Sequence, residues 1–362
     1  MLTCLSPNGP MVHDAGSASS RVLVATQEGV AVLDLDATAS AWQATSITLE
    51  GLHVSALLFE PSGDGVFAAT HGQGIFLSRD RGETWSPASE GLALRNVFSL
   101  AASVRDGKVT LLAGTEPVML FSSADYGRTW RPHPAIAELP GREKWTFPAP
   151  PHAAHLKSIA VHESEPDVYY ACIEQGALLK TTDAGRTWTE ISSYARPADR
   201  WYRDVHKLVP VASDPRRLYM STGNGVYRSD DGGTAWQKLT ETEFPIGYPD
   251  HLIVSPRNAQ KLFVAGASTP PNVWRETHVA KATVMCSDDA GAHWSAAADG
   301  LPVNGRAAIE AMSVAIAPGG YELFLANTDG EVYSSKDEGA SWQRIAAGLA
   351  PVSKAMHARY VT

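Results

Sequence analysis

One short motif recurs six times in this 362-residue chain and restricts what it can fold into. The pattern is Ser/Thr-x-Asp-x-Gly-x-Ser/Thr-Trp. It reads SRDRGETW from Ser78 to Trp85, SADYGRTW from Ser123 to Trp130, TTDAGRTW from Thr181 to Trp188 and SKDEGASW from Ser335 to Trp342. SDDGGTAW (Ser229 to Trp236) and SDDAGAHW (Ser287 to Trp294) carry Ala235 and His293 in place of the second hydroxyl. A decayed copy without glycine ends at Trp42, after Asp34 and Asp36. These residue types suit a tight turn between strands. The carboxylate accepts backbone N–H groups within the turn, the glycine takes positive φ, and the tryptophan packs on the sheet.

The six tryptophans are spaced 45, 58, 48, 58 and 48 residues apart, the range of propeller blades rather than helical solenoids. Short β runs fall between them: Arg21–Thr26, Val66–Thr70, Val109–Gly114, Val168–Cys172, Leu218–Ser221, Leu262–Ala265 and Leu323–Ala326. Each is followed by a polar or glycine turn and a second short run leading into the motif, and no long amphipathic helix interrupts them. The pattern predicts an all-β fold, a single seven-bladed propeller domain over residues 1–362. Ala355–Val361 (AMHARYV) reads as an inner strand with no blade after it. It is therefore expected to complete the first blade and close the ring.

Composition narrows the function classes. Hydrophobic residues make up 44% of the chain, enough for a sizeable core. The formal charge of −9 argues against a basic nucleic-acid surface. No apolar run is long enough to span a bilayer, and the opening MLTCLSPNGPMVHDAG has neither a basic nor an apolar leader region. Cys4, Cys172 and Cys286 lie far apart and give no metal spacing or disulfide framework. A cytoplasmic location with no membrane or nucleic-acid partner is the expectation.

The octapeptides resemble Asp-box (BNR) repeats, found in sialidases, some endoglucanases, sortilin-type receptors and photosystem II assembly factors. The resemblance extends over roughly Arg21 to Val361. It implies a propeller whose boxes sit on outer hairpins away from the active face, so Asp80, Asp125, Asp183, Asp231, Asp289 and Asp337 are expected to be structural. Sialidases also carry an arginine triad, a Tyr–Glu pair and usually an Arg-Ile-Pro segment near the N-terminus. No Arg-Ile-Pro occurs here, and the first 70 residues contain one arginine, Arg21. The endoglucanase relatives are larger, two-propeller enzymes.

Aligning the inner strands points to a site. Their first positions are polar in all seven: His53, Asn96, His155, Asp204, Tyr248, Glu310 and Lys354. Strand geometry then places one such residue per blade at one end of the central channel. His71 and Glu174, from the next hairpin turns, join the same mouth. The third positions add Lys157, His206 and Asp250, and His251 and His357 follow at the fourth. Imidazoles and carboxylates on converging strands can hold one divalent metal ion or act as general acid and base. The expected metal ligands are His53, His155, His206 and Glu310. The expected catalytic groups are His155, Glu174, Asp204 and Lys354.

Three longer segments, Pro140–Ala154, Tyr194–Arg203 and Ser268–His278, bring tryptophans beside cations to this face: Trp145, Trp201 beside Arg200 and Arg203, and Trp274. With His71, Asn96, Lys157 and Tyr248, residues Trp145, Trp201, Arg203 and Trp274 are expected to bind a small-molecule or sugar-like ligand. Two readings stand. One is a hydrolase or lyase acting on a small polar or sugar-like molecule, possible with or without a metal. The other is a non-catalytic scaffold or assembly factor that docks a protein partner.

Overall fold

The structure is a computed structural model. It describes every residue except Ala15, Ala37, Asp64, Pro197, Ala198, Arg200, Thr242, Met356 and Thr362. Arg200, expected beside Trp201, and Met356, expected in the closing strand, therefore lie outside the described residues.

Alternating apolar runs and glycine-rich turns fold into seven separate sheets, the blades of one propeller. Blades two to seven each run outward through four consecutive antiparallel strands. Their inner strands are Val54–Phe59, Val97–Arg105, His155–His162, Val205–Val211, Tyr248–Val254 and Ile309–Ala317. The blade faces pack on one another through apolar side chains. Between blades three and four, Leu112, Leu120, Leu156, Ala171 and Leu179 are fully or almost fully buried together. The helices are short, with Pro271–Thr277 (α1) inserted between the two middle strands of blade six and Ala358–Val361 (α2) near the C-terminus. No helix among the described residues is long and apolar enough to cross a membrane.

The octapeptides form the turns between the third and fourth strands of blades two to seven. In the turn of blade three, Asp125 Oδ1 accepts from the Ser123 hydroxyl at 2.8 Å and from Thr129 N–H at 2.9 Å, and Oδ2 accepts from the Thr129 hydroxyl at 2.6 Å. These donors, the Thr129 hydroxyl foremost, pull the Asp125 carboxyl down to about 2. Several tryptophans tie their blade to the one before. The Trp130 and Trp342 indoles each donate to a carbonyl of the preceding blade, Ala88 and Ala297, at 2.8 Å, and Trp85 donates to the Thr48 hydroxyl at 2.9 Å. Strands alternate in direction, so these turns face away from the channel mouth formed by the first and second strands.

The ring does not close with the C-terminal segment. Leu2–Leu5 pairs in parallel with Arg21–Thr26 and takes the inner place of blade one. Val12–Asp14 pairs in parallel with Val314–Ile316 of blade seven. Two N-terminal strands thus stitch the first blade to the last, and Ser313 Oγ donates across the seam to Cys4 O at 2.9 Å. The inner edge that AMHARYV was expected to fill is already occupied. The chain before it instead runs as a loop held by Gln27 N–H to Pro351 O and by Val352 N–H to Asn327 O, and Ala358–Val361 of the segment forms α2.

A backbone irregularity repeated around the ring builds the site. In each of blades two to seven the pairing of the inner strand with its neighbour skips one residue near the mouth. The skipped residues are Ser55, Phe98, Lys157, His206, Asp250 and Glu310. A β-bulge leaves one residue unpaired and re-aims its side chain. Glu310 therefore stands two residues beyond the first-position residues His53, Asn96, His155 and Asp204 with which it was aligned, level with Lys157, His206 and Asp250. Lys354, aligned as the seventh inner strand, arrives from the C-terminal loop.

Candidate functional site at the channel mouth

The charged bulge residues and Lys354 meet near the axis. Lys157 Nζ donates to Glu174 Oε1 and to Asp250 Oδ1, both at 2.9 Å. Lys354 Nζ pairs with the other oxygen of Asp250 and lies 3.8 Å from Glu174. All four side chains are at most 4% exposed. Burial alone would raise Glu174 and Asp250, but the two ammonium groups outweigh it and hold both carboxyls well below their usual range.

His155 extends this network. Its Nε2 bonds Glu174 Oε2 at 2.6 Å, and its Nδ1 lies 3.4 Å from Glu116. Burial works against the imidazolium, yet the Glu116 and Glu174 carboxylates prevail and raise His155 above its ordinary value. His155 and Glu174 thus sit together, as expected from the sequence, but in an ion pair with neither ring nitrogen turned to a ligand. Lys354 is likewise committed to Asp250.

Two cavities open on the mouth, divided by Phe147, Ala149 and Ala355, which line both. One, of about 350 Å³, is lined by His53, His71, Asn96, Glu116 and His155. His53 Nε2 bonds Ser353 O at 2.7 Å, while His71 bonds Asn96 and Lys354 O. The rings of His53, His71, Phe98 and His155 follow one another at centroid distances of 4.2, 4.5 and 3.9 Å. Burial, with His53 and His155 nearby, pushes His71 down to about 3.

The other cavity, of about 390 Å³, is lined by Glu174, Asp204, Tyr248 and His357, with Phe147, Trp201 and Tyr360 as aromatic walls. Asp204 is 3% exposed. Its Oδ2 accepts from the Tyr248 hydroxyl at 3.0 Å. Its Oδ1 lies 3.3 Å from His206 Nε2 but makes no hydrogen bond. His357 Nδ1 bonds Glu310 Oε1 at 2.9 Å, and Glu310 Oε2 accepts from Lys354 N–H at 3.1 Å. The pairing places the proton on Nδ1 and leaves Nε2 without a hydrogen-bond partner among the described residues. His357, expected at this mouth from the sequence but not among the expected catalytic or ligand groups, arrives here from the C-terminal loop rather than from an inner strand.

The expected ligand set His53, His155 and His206 does not assemble. His53 is separated from His155 by His71 and Phe98, and His206 is pinned by Pro249 O at 2.7 Å and the Tyr248 hydroxyl at 3.1 Å. Side chains close enough to share a cation form other groups, Glu174–Asp204–His206 and Asp250–Glu310–His357. In each, a carboxylate is already held by buried lysine, Glu174 by Lys157 and Asp250 by Lys157 and Lys354. A metal would have to displace an ammonium, so these donors fit one poorly.

The aromatic expectations divide. Trp201 is 41% exposed and lines the cavity. Trp145 is buried in the core between blades three and four. Trp274, on α1, is 2% exposed beneath the mouth, edge-on to Tyr248 and His357. Arg203 turns away to bond Gly176 O at 2.7 Å. Neither Trp145 nor Trp274 can stack on a ligand from such a position.

A family model described as the DUF6242 beta propeller domain matches residues 137–343, more than half of the chain. The chain belongs to this family. Among curated proteins, this DUF6242 propeller is 26% identical over 214 residues to the xyloglucanase Xgh74A of Acetivibrio thermocellus, 50% of this chain and 24% of that enzyme. It is 27% identical over 157 residues to a xyloglucanase of a Paenibacillus species, 39% of this chain and 14% of that enzyme. The chain therefore spans no more than about a quarter of these enzymes. Among solved structures, an ancestral GH74 enzyme superposes with a TM-score of 0.64 at 17% identity, covering 81% of this chain and 38% of that one. YCF48 from Cyanidioschyzon merolae gives 0.53 at 13% identity, covering 82% and 86%. At these identities the structural likeness shows the fold alone.

Proposed function

We propose that the larger mouth cavity is the active site of a hydrolase acting on a sugar-like molecule. The observation that carries this reading is one aromatic-walled cavity lined by both Asp204, whose Oδ1 has no hydrogen-bond partner, and the Glu310-held His357. A buried carboxylate oxygen without a donor favours a ligand that brings one, and a sugar hydroxyl does. Tyr248 holds the other oxygen and fixes the carboxylate's orientation. Trp201, Phe147 and Tyr360 offer apolar faces to a pyranose ring. His357, oriented through Nδ1 by Glu310, has Nε2 free among the described residues to accept a proton from an attacking water and return it to the leaving group. Glu174 and Lys157 build the wall of the site rather than react, since both are locked in ion pairs.

Similarity to xyloglucanases and the resemblance of the octapeptides to Asp-box repeats support a carbohydrate substrate. The test is release of reducing sugar from a panel of xyloglucan and β-glucan oligosaccharides. His357→Gln should lower kcat by about 10²-fold or more, the usual scale for a general acid–base group, and Asp204→Asn should lower kcat/KM by about tenfold or more through loss of a charged acceptor for a sugar hydroxyl. Retention of full activity in either variant sinks the assignment.

A docking module is the second reading, favoured by the YCF48 match, which covers nearly that whole chain where the glucanase matches cover fractions. Absence of any sugar binding by calorimetry would move the balance to it.

A further inference from the structure

The larger mouth cavity carries a charge for which acid–base chemistry on a neutral sugar has no use. Among the described residues, Arg275 is the one lysine or arginine on its wall. It rides on α1, the helix inserted in blade six. Its neighbour Trp274 pins that helix, being 2% exposed and donating its indole N–H to Thr269 O at 2.7 Å. With Trp274 buried, Arg275 is left on the exposed side. Its guanidinium carbon lies 5.9 Å from the centre of the Tyr360 ring, and that ring lies 5.9 Å from the imidazole of His357. Arg275, Tyr360 and His357 thus follow one another along one wall of the cavity.

The guanidinium has no polar partner. Arg275 makes no hydrogen bond or ion pair among the described residues, and its contact there is the face of Tyr360. Carboxylates are not scarce. Asp and Glu outnumber Lys and Arg by 39 to 30, and Arg21, Arg217 and Arg344 each pair with one.

The charges of the wall favour a ligand with two unlike ends. Glu174 is already held by Lys157 at 2.9 Å and by His155 at 2.6 Å. Asp204 and Arg275 remain as its opposite charges. Asp204 Oδ1 lacks a donor, and Arg275 lacks an acceptor. A neutral sugar brings a hydroxyl to the first and no charge to the second. A sugar acid brings a hydroxyl and a carboxylate on one ring, and the planar guanidinium fork binds a carboxylate through two parallel N–H···O bonds.

We propose that this cavity selects a sugar acid, a hexuronate unit whose carboxylate pairs with Arg275 while a ring hydroxyl donates to Asp204. Arg275 is then the specificity-determining residue and takes no part in proton transfer. The inference rests on the sugar reading of the same cavity.

The test compares β-1,4-glucan oligosaccharides with their C6-oxidised glucuronate counterparts of equal length, titrated into the full chain by calorimetry. Wild type should bind the glucuronate form about tenfold or more tighter at low salt, the scale of a hydrogen bond to a charged group, and high salt should shrink that advantage. Arg275→Gln, at an exposed helical position, should bind both forms alike and keep the wild-type affinity for the neutral one. Equal binding of the two forms by wild type overturns the proposal, and so does a preference that survives in Arg275→Gln. Binding of the neutral form alone overturns it and leaves the sugar reading standing. If neither form binds, both fall together. A sulfated glucan oligosaccharide bound as tightly as the glucuronate would overturn the choice of a carboxylate.

Discussion

Lys157→Met tests whether the buried charge network holds the channel together. Methionine keeps the length and apolar stem of lysine, so the change removes charge with little change in volume. Lys157 is 1% exposed and supplies a 2.9 Å bond to Glu174 and another to Asp250. Breaking a buried ion pair from one side costs about 3–5 kcal/mol, because the abandoned charge cannot reach water. Here each carboxylate retains a partner, His155 for Glu174 and Lys354 for Asp250, so the lower end of that range applies. With a urea slope of about 3 kcal/mol/M for a chain of this size, the unfolding midpoint should fall by about 1 M. Adding Asp250→Asn removes one of the stranded negative charges. The double variant should therefore be less destabilised than the sum of the singles, by about 1–2 kcal/mol. Equilibrium urea unfolding of the four proteins measures both quantities. A Lys157→Met midpoint indistinguishable from wild type, or strict additivity in the cycle, would refute the claim that these ion pairs are formed and buried.

The network and the buried histidines also predict a stability optimum near neutral pH. Glu174, Asp250 and Glu310 are depressed in the fold, so their contribution is present above the ordinary carboxylate values of 4.5 and 3.8 and fades as pH falls below them. His155, facing Glu116 and Glu174, is raised, so its contribution is complete below 6.5 and is lost as pH climbs through the raised value. His53, His71 and His251 are depressed by burial, so each costs stability as pH falls below 6.5. Tm scanned from pH 3 to pH 9 should therefore rise to about pH 6.5–7 and then fall, and a monotonic rise across the whole window would contradict the imidazolium assignment. Asp125→Ala should cost about 1 kcal/mol, read by thermal unfolding, through donors losing their acceptor at a partly exposed turn. Its effect on sugar turnover should be nil, since that turn lies on the opposite face. Removal of residues 1–14 strips both seam strands and bares the inner edges of blades one and seven. The product should aggregate on expression, as measured by size-exclusion chromatography.

The blade count was legible because the octapeptides report local physics. A Ser–Asp–Gly–Thr turn satisfies its own hydrogen bonds, so its sequence carries its geometry wherever it occurs. The seam was not legible, since Leu2–Leu5 and AMHARYV are equally apolar and either could fill an inner edge. The choice rests on long-range pairing: Leu2–Leu5 lies parallel beside Arg21–Thr26, and local propensity does not encode that.

The site shows the same division at finer scale. His155, Glu174 and Asp204 could be brought to the mouth by counting from the strand starts, and the structure gathers them there. Which of them reacts could not be counted. A slip of two residues leaves every side chain on its own face of the strand, so the offset that separates Glu310 from Asp204 is silent in the apolar pattern. The bulges aim Lys157, His206, Asp250 and Glu310 at the axis, and charges so placed must neutralise one another. That requirement consumes Glu174 and His155, the expected acid–base pair. It leaves Asp204, whose second oxygen has no donor, and His357, delivered by a C-terminal loop that Lys354 anchors in the ring. The residues most conspicuous in the sequence therefore make the scaffold. The groups left open to a ligand are those the scaffold did not use.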